Sequence, residues 1–171
     1  MFKRVLAAAA AAALSLSPAA ATPSLGEAEH RLINTIRRTG TSVYLNCPGH
    51  VRWLGLYSSG HQAMAVCVEG RDPSDWTADE QDTLRHEAVH LAQDCMGRLH
   101  DNELETTTTI SKMLSIAVRS GVNLERIEQV YRAEGADDQT ILLEWEAFSL
   151  AAILSTGEVE QLVRNACGSR L

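Results

Sequence analysis

The feature that most restricts what this chain can fold into is a helix start followed at a fixed distance by two histidines. Thr77-Ala78-Asp79-Glu80 has the form of a capping box, in which the threonine oxygen accepts from the amide three residues on and the glutamate answers back to the cap. A helix is therefore predicted from about residue 78, with Leu84, Ala88, Leu91 and Cys95 as its core-facing stripe and Gly97 as its stop. Within it stands His86-Glu87-Ala88-Val89-His90. Residues four apart share one helix face, so both imidazoles can address a single ion about 2 Å from each ring nitrogen.

Zinc is the default ion for such a pair. Glu87 is rotated by about 100° from its neighbour, so it stays off the ion while its carboxylate reaches a water bound there. Zinc lowers the pKa of that water towards neutrality, and Glu87 as general base takes its proton when the water attacks a carbonyl. Two histidines with a solubilising glutamate between them on a helix surface would give the same five letters without chemistry.

Elsewhere the hydrophobic period divides the chain. A short helix is predicted within residues 22–38, stopped at Gly40. Residues 43–47, 51–57 and 62–68 are short β-branched and aromatic runs between turn signals, which predicts a three-stranded antiparallel meander. Helices are predicted at 104–119, at 124–133 behind the cap Asn123, at 139–154 and at 158–166, punctuated by Gly121, Gly135, Gly157 and Gly168. The expected fold class is α+β, a small antiparallel sheet followed by a helical metal-binding core in one domain, residues 22–171.

Residues 1–21 read as a secretory signal peptide: Lys3 and Arg4, an alanine-rich apolar run, then small residues before a cleavage point after Ala21. That run is shorter than the roughly 20 residues of a bilayer span, so no stable membrane insertion is expected once it is cut. Its removal takes away two basic groups and no acid, turning a formal charge of −7 into −9, which disfavours nucleic acid as a partner. What remains is about 150 residues, enough for one real core.

All four cysteines fall in the exported part. Of the three possible pairings we favour Cys47 with Cys67, across the outer strands of the meander, and Cys95 with Cys167, tying the last helix to the metal helix. The second bridge would add roughly 4 kcal/mol by the chain-entropy model.

His86, Glu87 and His90 resemble the zinc-binding segment of the zincin metallopeptidases. The branch with a third histidine six residues after the second does not fit, because Met96 and Gln93 stand where it has histidine and glycine. The resemblance is to gluzincins, whose third ligand is a glutamate on a later helix, and Glu146-Ala147-Phe148-Ser149 is similar to that segment. It implies His86, His90 and Glu146 as ligands of one Zn2+ ion. Glu144 is the alternative: two residues apart on a helix means about 200°, so only one of the two glutamates can face the ion. The family's aspartate one turn past the ligand is replaced by Leu150.

Asp94 is a candidate hydrogen-bond partner for a ligand ring, or a plain surface acid. His100 and Tyr131 are outside candidates for a transition-state donor. His30, His50 and His61 read as surface residues, and the run Thr106 to Thr109 carries no assigned role. In zincins an edge strand before the metal helix pairs with extended substrate, and residues 62–68 are the candidate.

The expected function is a secreted zinc-dependent peptidase, periplasmic or extracellular, acting on peptides or proteins. The rival readings are a secreted zinc- or peptide-binding module without turnover, and a disulfide-stapled structural protein without metal.

Overall fold

The computed structural model describes residues 26–47, 54–97, 99 and 103–168. The signal-peptide reading, His50 and His100 lie outside the described residues. Among the described residues six α-helices and one three-stranded sheet make an α+β fold: α1 (Glu27–Arg38), β1 (Ser42–Tyr44), β2 (Gly55–Ser58), β3 (Ala63–Val66), α2 (Ala78–Met96), α3 (Ile110–Ser120), α4 (Leu124–Ala133), α5 (Asp138–Ile153) and α6 (Thr156–Ala166).

The helices start where the caps place them. Thr77 and Glu80 form the reciprocal capping box that opens α2, and Ser155 with Glu158 does the same for α6. Asn123 accepts from the Arg126 amide at the head of α4. At the third segment α3 begins only at Ile110, behind the cap Thr109, because residues 104–109 carry a different duty described below.

The sheet departs from the expected meander. Its order is β1-β3-β2, with β1 parallel and β2 antiparallel to β3. The physical reason lies in the first disulfide. Cys47 follows β1, Cys67 follows β3, and their Cα atoms are 5.1 Å apart. Outer strands of a meander would be separated by two interstrand spacings, about 9.5 Å, beyond a disulfide's reach. The bridge therefore goes with β1 and β3 as direct neighbours. It follows that β3 is the central strand, so the substrate-pairing edge does not fall at residues 62–68; β2 is the edge strand that meets α2.

One core joins the sheet to three helices. Leu32 and Ile36 of α1, Met64 and Val66 of β3, Leu84, Ala88 and Leu91 of α2, and Val159 and Val163 of α6 are all fully buried within it. The other side of α2 packs Val89 against Ile116, Ala147 and Leu150. With apolar contacts on both sides, α2 is clamped between the α1–α6 layer and the α3–α5 layer, which holds its histidines in place. The disulfide Cys95–Cys167 fastens the far end of α2 to the end of α6. Arg85 adds a tie from α2, donating from Nε to the Ala151 carbonyl at 3.1 Å.

Candidate metal centre

α2 presents His86 and His90 on the face that looks towards α5. Their Nε2 atoms are 3.1 Å apart, and the carboxylate of Glu144 straddles them, with Oε2 3.3 Å from His86 Nε2 and Oε1 3.4 Å from His90 Nε2. Two nitrogens and an oxygen around a tetrahedral zinc, each about 2.05 Å from it, stand about 3.3 Å from one another. These three spacings match the edges of that tetrahedron. His86, His90 and Glu144 are, among the described residues, the group of histidine, cysteine and acid side chains whose donor atoms lie within 4.8 Å of one another.

One donor atom of the group, and the far ring nitrogen of His86, are left unsatisfied within the chain. His86 Nδ1 and Glu144 Oε2 are buried with no hydrogen-bond partner, and buried polar atoms ordinarily have one. The charges settle accordingly. Burial would raise the Glu144 carboxyl, but the facing His86 and His90 rings hold it well below the usual carboxylate range. Burial would lower the His90 ring, but Glu144, Glu87 and the bond to Gln93 push it up to about 9.

Glu146 is not brought to the histidines. It is fully buried, and each of its oxygens accepts two hydrogen bonds. Oε2 takes Gln93 Nε2 and the Thr107 amide, both at 2.9 Å; Oε1 takes the Thr107 hydroxyl at 3.0 Å and the Thr108 amide at 2.7 Å. The expectation that Glu146 would join the two histidines is thus corrected: Glu144 stands beside them, and the reason is the half-turn between the two glutamates, since what faces α2's histidines at 144 faces the 103–109 loop at 146. A buried carboxylate is kept there by four donors, with no metal needed.

Glu87 is almost wholly buried, and burial raises its carboxyl, only partly offset by the charges of His90 and His86. The Tyr57 backbone amide of β2 donates to it. β2 can come this close because of Gly55: a Cβ there would stand 2.4 Å from Thr83 Cγ2 and 2.8 Å from Glu87 Oε1. Two clefts meet at the group. His90 and Glu144 line one of about 550 Å³, together with Tyr57, Leu104 and Leu143. His86 and Glu87 line another of about 260 Å³, together with Gly55, Tyr131 and Phe148.

Tyr131, at the end of α4, hydrogen-bonds Glu144, and burial together with that carboxylate raises its hydroxyl. The Phe148 ring packs 4.3 Å from that of His86 and 6.4 Å from that of Tyr131. Asp94 does not meet a histidine. It is fully buried and accepts from the Tyr57 hydroxyl at 2.5 Å and from Gln62 Nε2 at 2.9 Å, locking α2 to the β2–β3 hairpin. His30 and His61 are indeed exposed, bonded to Asp72 and Ser58.

Sequence reasoning did not single out Gln93, Thr107, Thr108 or Tyr57. Gln93 sits one turn past His90, and a polar residue there on a helix apolar on both sides was the available signal. No protein-family model matches this chain, and neither a curated protein nor a solved structure is similar to it.

Proposed function

We propose that this chain is an exported zinc-dependent peptidase of the zincin type, with His86, His90 and Glu144 as metal ligands and Glu87 as general base. The observation that carries the reading is the triangle of donor atoms at 3.1, 3.3 and 3.4 Å beside a buried carboxylate raised by its surroundings. A zinc ion bound there supplies Lewis acidity and lowers the pKa of its water towards neutrality.

The chain's own groups supply the rest. Glu87, with its carboxyl raised by burial, accepts a proton from the attacking water and delivers it to the departing amine. Tyr131 carries its hydroxyl at the same group and donates to the carbonyl oxygen as negative charge develops there. Edge strand β2 runs beside the site, where an extended peptide can align along it by strand addition. The two clefts flanking the ligands receive side chains on either side of the scissile bond. Both disulfides suit an oxidising compartment, which supports export.

The test is metal content and turnover together. The purified chain takes up one zinc, and hydrolyses peptides from a mixed-sequence library; Glu87→Gln keeps the zinc and loses turnover by at least a hundredfold. Zinc without turnover in the unaltered chain makes it a binding module, and a chain that takes up none removes both readings.

A further inference from the structure

Gln93 is fully buried three residues beyond His90. Its amide nitrogen donates to two groups that only accept, the Leu143 carbonyl at 3.0 Å and Glu146 Oε2 at 2.9 Å. Turned over, the amide would set its oxygen against those two oxygens, so one orientation is dictated. In that orientation Gln93 Oε1 faces His90 Nδ1 at 2.8 Å and can only accept, so Nδ1 must carry the hydrogen. A neutral imidazole protonated at Nδ1 keeps its lone pair on Nε2. That is the nitrogen 3.1 Å from His86 Nε2 and 3.4 Å from Glu144 Oε1.

Glu146 is what makes the amide's orientation firm. Its own position is set by the Thr107 and Thr108 backbone amides and the Thr107 hydroxyl. The same loop is pinned to α2 by the Glu105 amide, which donates to the Gln93 carbonyl at 3.0 Å. Three links then run in series: loop amides fix a carboxylate, the carboxylate fixes an amide, and the amide fixes a ring.

We propose that Glu146 and Gln93 are positioning residues which commit His90 to its Nδ1–H tautomer and thereby select Nε2 as its metal-ligating nitrogen. Only the final clause rests on the metal-site reading; the tautomer belongs to the chain itself. Partners of this kind orient a ligating histidine and raise its basicity, and losing one typically weakens metal binding 10- to 100-fold.

Histidine-ring nitrogen NMR on the full chain decides it, with zinc as the probe. In the unaltered protein the neutral His90 ring shows Nδ1–H, both loaded with zinc and metal-free at the alkaline end of a pH series. An Nε2–H ring in either state, or zinc held through Nδ1, overturns the proposal. If the unaltered chain takes up no zinc, the peptidase reading fails while the metal-free spectrum still decides the tautomer. Gln93→Leu weakens zinc binding 10- to 100-fold and Glu146→Gln by a smaller factor, with a mixed tautomer in the metal-free spectrum of each. Unchanged zinc affinity and an unchanged ring spectrum in folded variants also overturn it. Should Gln93→Leu fail to fold, Glu146→Gln and the unaltered protein's spectrum carry the test.

Discussion

Glu144 and Glu146 lie two residues apart on α5 and serve opposite sides of it: Glu144 Oε1 stands 3.4 Å from His90 Nε2, whereas Glu146 Oε2 accepts from Gln93, the residue that bonds the other side of the same ring. The two carboxylates thus approach one histidine from its two nitrogens. Their truncation separates cleanly. On the proposed metal reading, Glu144→Ala removes a ligand and abolishes stoichiometric zinc at micromolar concentrations. Glu146→Ala leaves the histidine–Glu144 group in place but removes the acceptor of four hydrogen bonds, three of them from half-buried Thr107 and Thr108, and it lowers stability by about 1–3 kcal/mol. Metal analysis and thermal melts of the two variants check this; zinc lost from Glu146→Ala and kept by Glu144→Ala reverses the assignment.

Gly55 is where the sheet touches the site. A methyl group there meets Thr83 Cγ2 at 2.4 Å and Glu87 Oε1 at 2.8 Å, so Gly55→Ala must displace those two side chains or β2 itself. The expected cost is about 1–3 kcal/mol of overpacking, with turnover falling more than zinc affinity because Glu87 moves and the histidines do not. Equal losses in both would place the damage in α2 as a whole.

Tyr57 and Asp94 form a buried pair. Tyr57→Phe leaves Asp94 with Gln62 as its remaining donor, at a cost of about 1–3 kcal/mol read from denaturant unfolding. Zinc affinity stays within a factor of about two, since neither residue touches the ligands; a tenfold loss would tie this pair to the metal centre.

Acid weakens the α1–α6 seam. Burial raises the Glu160 carboxyl, but hydrogen bonds from Arg164 and Thr35 and the charges of Arg164 and Arg31 outweigh it and leave it below its ordinary value. A carboxyl depressed on folding stabilises above its unfolded pKa, about 4.3, and that contribution drains away as pH falls through the lower native value. Glu160→Gln is therefore less stable than the unaltered chain at pH 7, and the gap narrows below about pH 4. A gap that widens in acid contradicts the sign.

The two disulfides differ in loop length, with a sequence separation of 72 for Cys95–Cys167 and 20 for Cys47–Cys67. By the chain-entropy model, replacing both cysteines of the longer bridge by alanine costs about 4 kcal/mol, against about 3 for the shorter. Equilibrium unfolding of the two double variants measures the order.

The helices were legible because their signals are local: Thr77 with Glu80 and Asn123 each announce a start within four residues. Both cysteine pairs were legible as well. The strand order was not, since it depends on which runs become neighbours, although the expected bridge between Cys47 and Cys67 already conflicted with a meander. At the site, the 200° between Glu144 and Glu146 told that one of them must turn away, yet not which. Both sit among apolar neighbours, and only the fold reveals that Thr107 and Thr108 wait for Glu146. Those threonines looked like simple low complexity because backbone amides, their main donors, are written identically at every position.

The seam between α1 and α6 has a consequence for how the chain is made. Thr35 donates to Glu160 and Thr156 donates to Glu29, pairs 125 and 127 residues apart, and Leu32 and Ile36 share their core with Val159 and Val163. The first helix can meet the sheet and α2 early, but its largest packing partner, α6, arrives only at the end of synthesis. Such long-range closure is slow to nucleate, and in a growing polypeptide of this design that seam stays unsealed until the final helix arrives.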